Sequence, residues 1–457
     1  MRRVAALAVL VGMGIVGASG PAAADEPQVA TGSTWIHAEP DSDVVLARGG
    51  DGFIGVWVDV PEGARARVRA PVDLALVIDV SGSMEGAKIQ AARASAATIV
   101  NRLADGDIIS VDVFSDSARP LVAPVRLTPE TRASVLSRIA ELGTGGSTNM
   151  FDGLSLAERH VAQAPADHPV RRIVMISDGQ ANVGPSSPEA LGELAERSLA
   201  MGAQVTSLGV GLDYDERTLD AIAMRTSGRL FHIGDPREMQ ATLEREVGLL
   251  SQTVADQAFI EVVPAPGVTL SSVDGAHFTW TEGHAARIPL GTLFAGQHRE
   301  ALVRVRLSSA AVGSQHALAS VRLAFHDPAA NEVERVQEVL ARVTASNDEG
   351  AVAQHASART HAMMATLEAA KTELQAAQDV GSGNFGQAEK KLAQAEQSLR
   401  DQAARTQDTA AKRRLEASAQ SVAHARATAA AAPAAAPADV RGGALEMNKA
   451  AMGAMGY

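Results

Sequence analysis

Three short segments of this chain carry oxygen-rich side chains in a setting where they can act together. Asp79-Val80-Ser81-Gly82-Ser83 follows the apolar run Leu74-Ala75-Leu76-Val77-Ile78. Gly145-Gly146-Ser147-Thr148-Asn149 stands just before a helical stretch. Ser177-Asp178-Gly179 follows a second apolar run, Ile173–Ile176. Asp79 and Asp178 offer carboxylates, and Ser81, Ser83 and Thr148 offer neutral hydroxyl oxygens. All are hard donors with no imidazole or thiolate among them, a set that selects Mg²⁺, Mn²⁺ or Ca²⁺ over zinc or copper. Mg²⁺ stands first, because it keeps waters or takes an outside ligand when few protein oxygens reach it. Two carboxylates roughly cancel the charge of the ion, and a coordination position is left for an acidic group from elsewhere. The glycines let backbone crowd around the ion.

Such loops need a scaffold that brings them to one edge. Leu74–Ile78 and Ile173–Ile176 are nearly continuous apolar runs, as expected of strands covered on both faces. Around them strands at 108–114, 205–210 and 229–233 alternate with helices at 86–103, 129–142, 150–161, 188–201, 216–225 and 238–250. That alternation over residues 71–253 predicts a doubly wound, mostly parallel α/β sheet. Ligands of such sheets bind outside the carboxyl ends of the strands, where all three segments fall. A lone D-x-S-x-S would be read as loop side chains satisfying backbone; three segments in order, each at a strand end or helix start, argue for a site.

The three segments resemble the metal-ion-dependent adhesion site of von Willebrand factor A-type domains. Asp79, Ser81 and Ser83 match its D-x-S-x-S, Thr148 matches the threonine of its second loop, and Asp178 the aspartate after the fourth strand, over about residues 71–253. The resemblance implies metal-mediated binding of a protein that offers an Asp or Glu to the cation, with the last aspartate often acting through water. It also implies that ligand binding shifts the helix at about 238–250. The flanks, above all Leu290-Gly291-Thr292-Leu293-Phe294-Ala295-Gly296-Gln297, are similar to bacterial relatives and to inter-α-trypsin-inhibitor heavy chains. Integrin β-type domains carry further acids after the serines for a second metal. Here Glu85 stands alone before Gly86, which puts a second adjacent site in doubt.

The flanking segments read differently. Residues 35–70 and 255–345 hold short alternating strands, among them Phe53–Val60 and Ala301–Leu307, and Arg65, Arg67 and Arg69 alternate with Ala66, Val68 and Ala70. Together they predict a β-sandwich into which the α/β domain is inserted. Residues 349–432 turn to Ala, Gln, Glu, Lys and Arg with one break at Gly381–Gly386, predicting a helical hairpin or short coiled coil. Residues 433–457, rich in Ala, Pro, Gly and Met, are expected to lack structure.

Composition narrows the function. Aromatic content of 3% and a net charge of −12 argue against nucleic-acid binding, which needs stacking rings and clustered Lys and Arg. Arg2 and Arg3, the apolar stretch Val4–Val16 and Ala22-Ala23-Ala24 read as a secretory signal peptide over residues 1–24. No later stretch looks like a membrane span, so the mature chain is expected to be soluble and periplasmic or secreted. With no cysteine, thiol chemistry and thiolate metal sites are excluded. Gly381-Ser382-Gly383-Asn384-Phe385-Gly386 matches G-x-G-x-x-G but follows a helix, so a dinucleotide site lacks its strand. The recognised loops hold no general base or nucleophile, and no catalytic residue is assigned. The expectation is therefore a non-enzymatic, metal-dependent protein-binding module. A scaffold with a purely structural metal and assembly through the C-terminal helices is the alternative, and a metal-assisted hydrolase comes last.

Overall fold

The computed structural model describes residues 28–29, 34–64, 69–328 and 333–455. The expected signal peptide, residues 1–24, lies outside the described residues, as do four of the six residues of the alternating Arg65–Ala70 segment; Arg69 and Ala70 are not in a strand.

At the centre stands a six-stranded sheet in the order Leu230–Ile233, Ala203–Val210, Val170–Ser177, Val72–Asp79, Ile108–Phe114, Ala118–Arg126. All neighbours are parallel except the last pair, an antiparallel edge. Every residue of Val72–Asp79 is buried. Its side chains sort by the two-residue period of a strand. Val72, Leu74, Leu76 and Ile78 enter one core with Ile89, Ile99 and Leu243. Ala75 and Val77 enter the other with Met150, Leu154 and Leu191. The helices covering the two faces are α1 (Ala87–Arg102), α2 (Pro129–Ala140), α3 (Met150–Val161), α4 (Pro188–Ala200), α5 (Glu216–Arg225) and α6 (Met239–Leu250).

Two further sheets face each other across a shared core. One carries Val268–Asp274, His298–Leu307, Gly50–Asp59 and Ile36–Pro40; the other is built mainly from Thr253–Pro264, Ala286–Phe294, Gln315–Asp327 and Val333–Ser346. Ile54, Val56 and Val58 of the first meet Ile260, Ile288 and Val321 of the second. The α/β unit is therefore inserted within the sequence of a β-sandwich.

After the sandwich come α7 (Glu349–Gln354), α8 (Ala358–Gly381), α9 (Phe385–Arg405), α10 (Thr409–Ala431) and α11 (Pro437–Ala454). The expected two-helix hairpin becomes three long helices, because the chain breaks again at Thr406–Asp408. There the Asp408 carboxylate accepts the Ala411 amide at 2.6 Å and caps α10. The tail expected to lack structure is helical over Pro437–Ala454. Leu445 enters the α/β core, and Met452 and Met455 pack on Trp57 of the sandwich. Burial of these side chains supplies what the Gly- and Pro-containing sequence lacks in helix propensity. No helix among the described residues is long and apolar enough to cross a membrane.

Candidate functional site

Parallel pairing puts the ends of Val72–Asp79 and Val170–Ser177 side by side, with Ile78 opposite Ile176. Asp79 is fully buried, and its carboxylate accepts the Ser81 amide at 2.8 Å through Oδ1 and the Ser177 hydroxyl at 2.6 Å through Oδ2. Burial pushes its carboxyl above the usual range, the hydrogen bonds from Ser177 and Ser81 pull it back, and the nearby charge of Asp178 raises it further. Among the described residues Asp79 has no ion pair, and none of them neutralises its charge directly. That is the environment in which a bound cation stabilises most.

The other loops are stitched to this point through backbone. The Gly82 amide donates to the Gly146 carbonyl at 3.1 Å, and the Gly145 amide to the Val80 carbonyl at 2.7 Å. Gly146 has φ of +86°, and a Cβ there would stand 2.6 Å from an Asp116 carboxylate oxygen, so only glycine serves. Asp116 in turn accepts the Ser147 amide at 3.0 Å. Thr148 and Asn182 hold each other: the Thr148 amide donates to Asn182 Oδ1 at 2.9 Å, and the Asn182 amide to the Thr148 carbonyl at 3.0 Å.

The five residues singled out in the sequence are brought to one place. Ser81 Oγ and Ser83 Oγ are 3.1 Å apart, and Ser83 donates to Asp178 Oδ1 at 2.8 Å. A Cβ on Gly179 would be 3.3 Å from Thr148 Oγ1 and 3.8 Å from Ser83 Oγ, so both hydroxyls border the same gap. Neighbouring oxygens of an octahedral Mg²⁺ shell, with Mg–O of about 2.1 Å, stand about 3.0 Å apart. The Ser81, Ser83 and Asp178 oxygens already have nearly that spacing, so the donor set fits a small hard cation. Among the described residues no cluster of three or more His, Asp and Glu is placed to hold a metal; this site would work with two carboxylates and three hydroxyls.

Three participants carried no signal strong enough to find them in the sequence. Ser177 and Asn182 flank Asp178 and look like ordinary loop residues. Lys88, in the first turn of α1, looks like a solvated helix residue, yet its ammonium hydrogen-bonds Asp178 Oδ2.

A central, mostly parallel sheet with acid and hydroxyl loops at its carboxyl edge defines a doubly wound α/β domain. Residues 73–245 match the von Willebrand factor type A domain, so this part of the chain is a domain of that type. It is 27% identical over 290 residues to uncharacterized protein sll0103 of Synechocystis sp., covering 60% of this chain and 66% of that one. It is 29% identical over 164 residues to inter-alpha-trypsin inhibitor heavy chain H3 of Mesocricetus auratus, covering 35% and 18%. The chain thus spans less than two thirds of these curated relatives. A von Willebrand factor type A protein from Catenulispora acidiphila superposes with a TM-score of 0.70 at 16% identity over 85% of this chain and 89% of that one, a likeness of fold. Domains of this family are in general binding modules rather than catalysts.

Proposed function

We propose that the protein is an exported, non-enzymatic binding module in which Asp79, Ser81, Ser83, Thr148 and Asp178 hold a divalent cation, Mg²⁺ first among Mg²⁺, Mn²⁺ and Ca²⁺, that accepts an Asp or Glu side chain from a partner protein. The observation that carries this reading is that Ser83 and Thr148, from two loops, border one gap beside Gly179, with Asp178 and Ser81 hydrogen-bonded to Ser83 and buried Asp79 bound to the Ser81 amide. The ion would complete the charge of Asp79. The small number of protein donors leaves a position for the partner's carboxylate. The side chains joined by hydrogen bonds around that gap include no His, which speaks for binding rather than turnover. Export rests on the signal-peptide pattern of residues 1–24.

Calorimetry with Mg²⁺, Mn²⁺ and Ca²⁺, followed by capture from envelope extract, tests the reading. Wild type with Mg²⁺ is expected to retain a partner that Thr148→Ala and chelator both release. At ion concentrations a hundredfold above Kd, the α/β domain should gain about 2.7 kcal/mol of stability. No uptake of any of the three ions would end the proposal, and so would a partner held equally with and without chelator.

A further inference from the structure

Lys88 is placed where ordinary helix energetics oppose it. It lies in the first turn of α1, whose entry residue Gly86 makes no side-chain cap and whose first turn holds no acidic residue. A cation at that end meets the positive pole of the helix, an unfavourable placement. Its side chain is nevertheless held in place. The ammonium hydrogen-bonds Asp178 Oδ2, the oxygen that Ser83 leaves free. It also lies against the loop after Ala203–Val210, with Nζ 3.6 Å and Cε 3.5 Å from where a Cβ on Gly211 would stand. Gly211, at φ of +84°, gives it room. The Lys88 side chain is 27% exposed, whereas that of Asp178 is fully buried.

This ammonium changes the charge of the cation site. Asp79 and Asp178 alone would balance a divalent ion. With Lys88 beside them the empty site is one unit negative, and a divalent ion turns it one unit positive. We propose that Lys88 keeps the loaded site net positive, so that the cation alone binds weakly and the cation together with a carboxylate ligand binds cooperatively. The inference rests on the binding reading given above and adds how ion and ligand are coupled. Before the ligand arrives, the ammonium repels the incoming ion. After it arrives, the ligand's single negative charge meets the one positive charge that Asp79 and Asp178 leave on the ion and the ammonium together. The coupling is reciprocal: whatever the carboxylate adds to ion affinity, the ion adds to carboxylate affinity. Lys88 acts here through Asp178 and is a positioning residue.

The test uses the full chain, Mn²⁺ as the ion and acetate as the carboxylate, with acetamide and equal ionic strength as controls. Calorimetry is run on wild type, Lys88→Met, Lys88→Gln and Lys88→Arg, with thermal melts in chelator to check folding. Without acetate, Lys88→Met and Lys88→Gln should bind Mn²⁺ about tenfold tighter than wild type, since a like charge has been removed from the ion's surroundings. Lys88→Arg should stay near wild type. Acetate should tighten Mn²⁺ binding several-fold in wild type and Lys88→Arg, and far less in the two neutral variants. If wild type takes up Mn²⁺ but the neutral variants match it, or if acetate helps all four equally, the coupling inference fails while the cation reading stands. If wild type takes up no Mn²⁺, both fall.

Discussion

Glu246 of α6 is buried at 2% exposure and sits among cations from the sheet beneath it. Its carboxylate accepts the Thr206 hydroxyl at 2.9 Å and Arg229 at 3.1 Å, and stands 4.0 Å from the equally buried Arg172. Burial pulls Arg172 below its usual range, Glu246 opposes that, and Arg229 adds to it. In Glu246→Gln the side chain keeps its shape but Arg172 loses its buried counter-charge. Breaking one half of a buried pair costs about 3–5 kcal/mol. The long Arg172 contact and the partial exposure of Arg229 argue for the lower end, about 3 kcal/mol. Trp35, Trp57 and Trp280 all lie in the sandwich, so tryptophan fluorescence would miss this change. Amide hydrogen exchange reads it directly. The slowest amides of Val72–Asp79 and Val170–Ser177 should exchange on the order of a hundredfold faster. The double change Arg172→Met with Glu246→Leu should recover most of the loss, because it leaves no orphaned charge. Exchange within about threefold of wild type in Glu246→Gln, or a double variant no better than the single, would refute the reasoning.

Two further outcomes are expected. Leu445→Ala should cost about 2–3 kcal/mol, the low end for a buried leucine truncated to a methyl, and exchange should show α11 losing protection before the central sheet, since Leu445 is one of its links to the α/β core. Asp220 on α5 lies under Asn448 of α11. Burial pushes its carboxyl up to about 7, the Asn448 hydrogen bond opposes this, and the charges of Glu216 and Asp215 add to it. The folded chain then holds a proton that the unfolded chain releases near pH 4, so stability falls as pH rises from about 4 to about 7 and levels off above that. Asp220→Asn should match wild type near pH 4 and exceed it by on the order of 2 kcal/mol at pH 8 in denaturant melts; a constant offset across that range would contradict this.

Much of the α/β unit was legible in the chain because burial on both sides leaves apolar runs and amphipathic helices leave periodic ones. The bounds expected for α3 and α5 coincide with those observed. The strand Ala118–Arg126 escaped notice, since an edge strand with Pro120 and Pro124 and no buried residue shows neither a run nor a clean alternation. The helix α11 escaped notice because its order comes from contacts with residues far away in sequence, not from local preference. At the site, the five oxygen donors sit in motifs with fixed spacing and could be named. Lys88 could not, because its role depends on its side chain reaching Asp178 just past the end of Val170–Ser177, which only the assembled sheet fixes.

The insertion of one unit inside another has a consequence for how the chain is made. Strand Gly50–Asp59 pairs with His298–Leu307, and Asp59 and His298, 239 positions apart, lie opposite each other and hydrogen-bond at 2.6 Å. At typical synthesis speeds of about 5–20 residues per second, the earlier strand waits on the order of ten to fifty seconds for its neighbour. Ile54, Val56 and Val58 would spend that interval uncovered, an edge open to wrong pairing. The α/β unit, whose sheet pairings all lie within its own length, would already have its sheet assembled. The sandwich thus closes only after the α/β unit inserted in it, and its first strands depend on being kept unfolded or shielded until their partners arrive.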